Sequence, residues 1–174
     1  MNMTVKSLLI LILSALVGYY LIIYLTPRYI LLKIKFNSGS KMNVPVYSDV
    51  ITDTDRHIVM PNPDFLYVAS GYNLWKGPIL ISGEMPDSTY SSVALYSDNT
   101  MNYYIRNDRQ TPEKKFNFIL TRNKEDKTKY SNEEVIVSPS AMGTILTRIL
   151  INKPENIDQL KEVQRSVKIE ELNK

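Results

Sequence analysis

A single histidine limits the chemistry open to this chain. His57 is the one imidazole in 174 residues and cysteine is absent, which removes a two-histidine metal site, a thiolate nucleophile, disulfides and zinc–sulfur centres. A Ser-His-Asp set can be written around His57, but no G-x-S-x-G turn is present to hold the serine. A lone histidine beside a strand ordinarily packs and hydrogen-bonds. The six glycines stand apart at positions 18, 39, 71, 77, 83 and 143, so no loop cradles phosphate. No metal and no cofactor is expected, and the remaining catalytic candidates are Asp64 and His57.

Asp64 follows Pro63 in a turn just ahead of an apolar run, where an Asp side chain accepts backbone N–H bonds and fixes the turn. The functional alternative has Asn62, Asp64 and Tyr67 lining a binding pocket at the end of the domain, with Arg148 meeting Asp64 as a paired charge. Such a pair is structural unless a cleft opens beside it. Twelve tyrosines add a second candidate surface, since Tyr67, Tyr72, Tyr90, Tyr96, Tyr103 and Tyr104 fall on expected strands. Core and cross-strand packing is the default reading, and an aromatic-lined groove is the sharper one.

The elements that must position these residues are mostly strands. Short β-branched and aromatic runs at 57–60, 65–74, 78–83, 89–97, 101–107, 115–121 and 134–138 are separated by turn clusters such as Pro61-Asn62-Pro63-Asp64, Pro86-Asp87-Ser88 and Ser97-Asp98-Asn99. This spacing predicts a mainly β fold, a single antiparallel sandwich-like domain over 56–174. The polar run 121–134 reads as a hairpin loop. After Ser140 the period changes: Met142, Ile145, Leu146, Ile149 and Leu150 recur at three and four, predicting a helix. A second helix is expected from Asn152, with Glu155 completing a capping box, Pro154 in its first turn, and Ile157, Leu160, Val163 and Val167 as its apolar stripe.

Ahead of the domain lies a different kind of segment. Residues 7–27, after a six-residue tail, carry no charge, and Lys6 and Arg28 bracket them. A helix of ~20 residues rises ~30 Å, enough to cross a hydrocarbon core, and satisfies its own backbone there. Signal-peptide cores are usually ~7–15 residues and end at a small-x-small site, whereas Tyr-Leu-Thr-Pro-Arg-Tyr follows here, so an uncleaved anchor is expected. Lys6, Arg28, Lys33, Lys35 and Lys41 hold all the charge before residue 42, while the remainder has 16 basic and 18 acidic side chains. The basicity belongs to the membrane lipid, and no nucleic-acid partner is implied. Residues 28–55 read as a juxtamembrane segment and polar stalk.

Asn62-Pro63-Asp64-Phe65-Leu66-Tyr67, followed by Leu74 and Gly77-Pro78, resembles the Asn-x-Asp-x-Leu-Tyr, Asp-Leu, Gly-Pro signature of the bacterial family catalogued as domain of unknown function 1254. Tyr90, Leu95, Thr100 with Asn102, Ser138-Pro139 and Thr147-Arg148 are similar to its later landmarks, so the resemblance runs from about Met60 to Leu172. In particular it resembles the short, membrane-anchored alphaproteobacterial members. Two departures stand out: Phe65 replaces the usual Thr, and Thr147 precedes Arg148 where Gly is common. The resemblance implies a sandwich-like fold and an exported location, and it implies no reaction. Longer members continue into a second β-rich domain, numbered 1214.

From these readings the chain is expected to be a noncatalytic envelope module that docks another protein, a separate chain of the 1214 type being the natural candidate. The alternative is an enzyme acting on an envelope small molecule through a pocket around Asp64. Topology pits two arguments against each other. Four basic residues follow the apolar run and one precedes it, which favours a cytoplasmic domain. The resemblance points outward, and the short N-terminal tail is the easier end to retain, so a periplasmic domain at a bacterial inner membrane is expected.

Overall fold

Runs rich in β-branched and aromatic residues become strands in the computed structural model, which describes residues 3–37, 41–52 and 61–172. They are β1 (Val46–Tyr47), β2 (Phe65–Asn73), β3 (Ile79–Glu84), β4 (Ser91–Ser97), β5 (Asn102–Asn107), β6 (Lys115–Thr121), β7 (Val135–Val137), β8 (Met142–Leu150) and β9 (Lys168–Glu171). Helices are α1 (Met3–Asn37), α2 (Asp126–Lys129) and α3 (Ile157–Ser166). The run at 57–60, with His57, lies outside the described residues.

The strands form two sheets, one ordered β1-β2-β8-β4-β5 and the other β7-β6-β3-β9. Alternation sends one face of each sheet inward, and the core between them contains Val68, Tyr72, Ile79, Ile81, Val93, Leu95, Phe116, Phe118, Leu120 and Ile145, all at most 3 % exposed. Polar clamps close both sides. Arg106 of β5 reaches Glu134, just before β7, at 2.6 Å, while across the sandwich Asn43 donates to Glu171 of β9 at 2.8 Å. α3 fills the gap between β2 and β3, burying Leu160 against Leu66 and Ile149. Its Gln164 donates to the carbonyls of Ser48 and Tyr67.

Four local expectations are overturned. Residues 142–150 form the central strand β8, not a helix. Their apolar side chains recur at three and four because both faces of this strand are partly apolar: Ile145 and Ile149 point into the core, Leu146 and Leu150 away from it. The β-branched Thr144, Ile145, Thr147 and Ile149 favour the pleated form. The segment 121–134 is no hairpin, since β7 runs parallel to β6 with Ile119 opposite Val135, and its dozen residues with α2 make a crossover. Asn152 is not a cap. It donates to the Ser88 carbonyl at 3.0 Å, and Pro154 opens a 3-10 turn that leads into α3. The segment read as stalk also takes part in the sheet: Val46 lies opposite Ala69, and Asn43 is 7 % exposed.

α1 is uncharged through its middle and carries one stretch, Val5–Ile30, long and apolar enough to cross a membrane; its most apolar part is not buried, and Arg28 near its end meets Asp98 of the domain at 3.4 Å. In lipid such a surface needs no protein cover.

Gly143 in β8 shows how tight the central strand is. A Cβ there would run into the Tyr96 carbonyl oxygen and the Tyr72 ring, which lies across the glycine from the neighbouring strand. At Gly71 a Cβ would meet only the end of the Met42 side chain, besides ordinary contact with the Gly143 carbonyl. Gly143→Ala should therefore lower unfolding free energy by about 3 kcal/mol, and Gly71→Ala far less, in matched urea titrations. Equal losses would contradict this packing.

Candidate functional site

The outward face of the five-stranded sheet is built from residues that the register places side by side. Ser48, Tyr67, Arg148, Ser92 and Asn107 form one row across the five strands' width: Tyr67 is opposite Arg148, Arg148 opposite Ser92, Ser92 opposite Asn107, and Ser48 accepts the Tyr67 N–H at 2.9 Å. Directly opposed residues bring their Cβ atoms to about 5 Å. Below this row runs an apolar one, Val46, Ala69, Leu146, Ala94 and Ile105. Above it stand Phe65, opposite Leu150, and Tyr90, whose ring meets Phe65 edge-on with centroids 6.4 Å apart.

Arg148 thus projects from the middle of a partly exposed apolar face. Its Nε is buried and makes no hydrogen bond, and the Ser92 hydroxyl beside it is buried and unbonded too. Burying an unpaired polar atom costs about 1–3 kcal/mol. Native folds leave few such groups, and each calls for a reason. Tyr67, 7 % exposed, is held from the other side: its hydroxyl accepts the Asn62 N–H at 3.1 Å. The face thus combines one partly exposed guanidinium with flanking apolar area, and a guanidinium is a group that can pair a carboxylate or another planar anion.

Three of the residues singled out in the sequence come together here: Asn62, Tyr67 and Arg148. Asp64 does not join them. Its carboxylate is exposed and forms no ion pair with Arg148, and the turn-fixing role expected of it belongs to Asn62, whose Oδ1 accepts the Asp64 N–H at 2.9 Å. Asp64 contributes its backbone carbonyl, which accepts the Ile151 N–H at 2.7 Å. His57 lies outside the described residues. Among those described, no group of three or more His, Asp or Glu side chains stands close enough to hold a metal ion. Tyr90 was singled out only among the tyrosines of a possible aromatic groove; Ser92, Phe65 and Leu146 were not anticipated as site residues, because their neighbourhood arises only from strand pairing across more than fifty residues.

Fold and site together define a two-sheet β domain with one C-terminal helix and an arginine-centred outer face. The chain belongs to the family described as Protein of unknown function (DUF1254), whose signature covers residues 42–171. Among solved structures it is similar to the VPA0106 protein from Vibrio parahaemolyticus, with a TM-score of 0.64 and 15 % identity over 86 % of this chain and 37 % of that one. It is also similar to an uncharacterised protein from Burkholderia cenocepacia, with a TM-score of 0.51 and 15 % identity over 86 % of this chain and 40 % of that one. These likenesses show the fold, and the chain spans about two fifths of each solved protein. No curated protein matches the sequence.

The tyrosines mostly pack instead of lining a groove. Tyr72 is fully buried, bonded to Ser138 at 2.8 Å, and Tyr103 donates to its hydroxyl at 3.1 Å. Tyr104 donates to Glu134 at 3.2 Å beside the Arg106 clamp. Burial first, then the Glu134 carboxylate, pushes the Tyr104 phenol up to about 12, and burial with the neighbouring Tyr72 raises Tyr103 as well. In the unfolded chain both ionise near 10, so above that pH the unfolded state binds fewer protons and stability falls. Denaturation midpoints should drop between about pH 10 and 12, and less steeply in Tyr104→Phe. An identical slope in the variant would deny Tyr104 this part.

Proposed function

We propose that the protein is a membrane-held docking module, anchored by α1, whose outer sheet face receives an acidic segment of another envelope protein. The observation that carries this reading is Arg148: a guanidinium whose Nε is buried and unbonded, set between two apolar rows and beside an unbonded serine hydroxyl. Binding sites concentrate energy in arginine and aromatic anchors surrounded by apolar contacts that exclude water. A partner carboxylate would pair the accessible part of the Arg148 guanidinium, while Phe65, Tyr90 and Leu146 supply area. The partner class is a protein with a companion β-rich domain of the 1214 type. The domain lies on the periplasmic side of a bacterial inner membrane, with the short N-terminal tail retained in the cytoplasm.

A structural arginine and a docking arginine give opposite stabilities when replaced. Arg148→Met keeps the stem's apolar cover and removes the unpaired Nε, so it should unfold at the same or a higher urea concentration, by about 1 kcal/mol. In mild detergent the tagged full-length wild type should retain a stoichiometric partner that Arg148→Met loses. A variant destabilised by several kcal/mol, or one that keeps the partner, would make Arg148 a scaffold residue.

Topology has its own measurement. Alkaline phosphatase fused after Lys174 should be active and should stay in the pellet through carbonate washing. An inactive fusion, with a cytoplasmic reporter active at the same site, would put the domain inside and give the decision to the four lysine and arginine residues following the apolar run.

A further inference from the structure

Several features outside the docking face gather at one end of the sandwich, and they gather where the chain arrives from α1. Asn43 pairs with Gly71 and Asn73, so residues 41–43 enter beside the end of β2. That end also holds the β2–β3 turn with Trp75, the start of β8, and the β4–β5 turn. Hydrogen bonds link them: the Leu74 N–H donates to the Ala141 carbonyl at 2.8 Å, and the Asp98 N–H to the Ser140 hydroxyl at 3.1 Å.

At this end lie the domain's two most exposed large hydrophobic side chains among the described residues. Trp75 is 68 % exposed and Met101, beside the tip of the β4–β5 turn, is 62 % exposed. Asn99 fixes that turn by accepting the Met101 N–H at 3.1 Å, and Thr100 takes a φ of 66° to complete it. The charge beside them is mostly basic: the Arg122 guanidinium lies 5.0 Å over the Trp75 ring, and Lys76 and Lys41 are exposed, while the acid Glu171 accepts from Asn43 at 2.8 Å. Asp98, the acid of the β4–β5 turn, is taken up by Arg28 of α1 at 3.4 Å.

That last contact sets a depth. Arg28 sits within the apolar stretch Val5–Ile30, two residues from its end, although α1 itself continues to Asn37. The β4–β5 turn therefore reaches back alongside the last turns of α1 to the level where the apolar stretch stops. Tryptophan favours the headgroup layer, and exposed lysine and arginine favour anionic headgroups.

We infer that this end of the sandwich rests on the bilayer, with Trp75 and Met101 in the headgroup layer and Arg122, Lys76 and Lys41 against anionic lipid phosphates. The domain thus has a lipid-contacting face of its own, which orients it on the membrane. The inference rests on α1 spanning the bilayer, and one preparation separates the two. Trp75 is the only tryptophan in the chain, so its fluorescence reports this face alone.

Full-length protein reconstituted into phosphatidylcholine–phosphatidylglycerol vesicles should float with the lipid. Its emission should be blue-shifted, resist acrylamide, and lose most of its intensity when the phosphatidylcholine carries brominated chains. Protein that floats while Trp75 emits as in water and is quenched by acrylamide would keep the anchor and overturn the lipid-facing end. Protein that fails to float overturns the anchor and this inference with it. Shielding of Trp75 in native membranes but not in protein-free vesicles would assign the patch to a protein and overturn the lipid contact.

Discussion

Strand β8 is the constraint on which the rest of the sheet depends, because it is hydrogen-bonded along its whole length to β2 on one side and from Gly143 to Ile149 to β4 on the other. Neither neighbour is close in sequence. β2 ends at Asn73 and β4 at Ser97, so the five-stranded sheet lacks its centre until residues 142–150 arrive. Loop-closure entropy must be met before those contacts return anything, which makes the pairing a late and cooperative step. Everything on both faces follows from it. Inward, Gly143 admits the Tyr72 ring and Ile145 and Ile149 complete the core; outward, Arg148 is fixed between Tyr67 and Ser92.

The two sheets are then locked at their margins by polar contacts instead of by more apolar area. Arg106 and Tyr104 converge on Glu134 on one side, and Asn43 with Tyr47 ties β1 to Glu171 and the Val167 carbonyl on the other. Charged and hydroxyl groups suit a sandwich edge, where water still reaches their unused lone pairs, while the ladder between sheets stays dry. This arrangement makes residues 41–48 part of the domain's closure and not a passive tether. A change at Asn43 would loosen both the edge strand and the side of the domain that the chain enters after α1.

How much of this could be read from the sequence depended on whether the signal was local. β2 to β6 declared themselves through β-branched and aromatic runs between turn residues, and α1 through an uncharged run of membrane length. β8 did not, because a strand with two partly apolar faces produces the same three-and-four spacing as a helix stripe. The 121–134 connection could not be told from a hairpin, since its polar residues suit either and the parallel pairing is decided elsewhere. At the site, Asn62, Tyr67 and Arg148 were singled out around the Asp64 turn, although the pairing expected between Arg148 and Asp64 does not form. The Asn62 turn was visible, yet the choice of Asn62 over Asp64 as the bonding side chain lay in backbone direction. Ser92, Phe65 and Leu146 were invisible for a plainer reason: membership requires the register, and register is a property of the folded sheet.

Position on the sheet bears on how a docking face could work at a membrane. Arg148 lies five residues along β8 from Gly143, about 16 Å at the rise of a strand, measured from the end where the anchor enters. With that end on the bilayer, the outer sheet face stands beside the membrane surface instead of pointing away from it. A partner anchored in the same membrane would then meet Arg148 laterally, within a shared layer, so confinement raises its effective concentration without any added contact. An interface of this kind does not need a large buried area, only an anchor residue that is unsatisfied until the partner arrives. On the proposed reading Arg148, bracketed by apolar rows, is that residue, and pairing with a carboxylate would offset the desolvation that docking imposes on its charge.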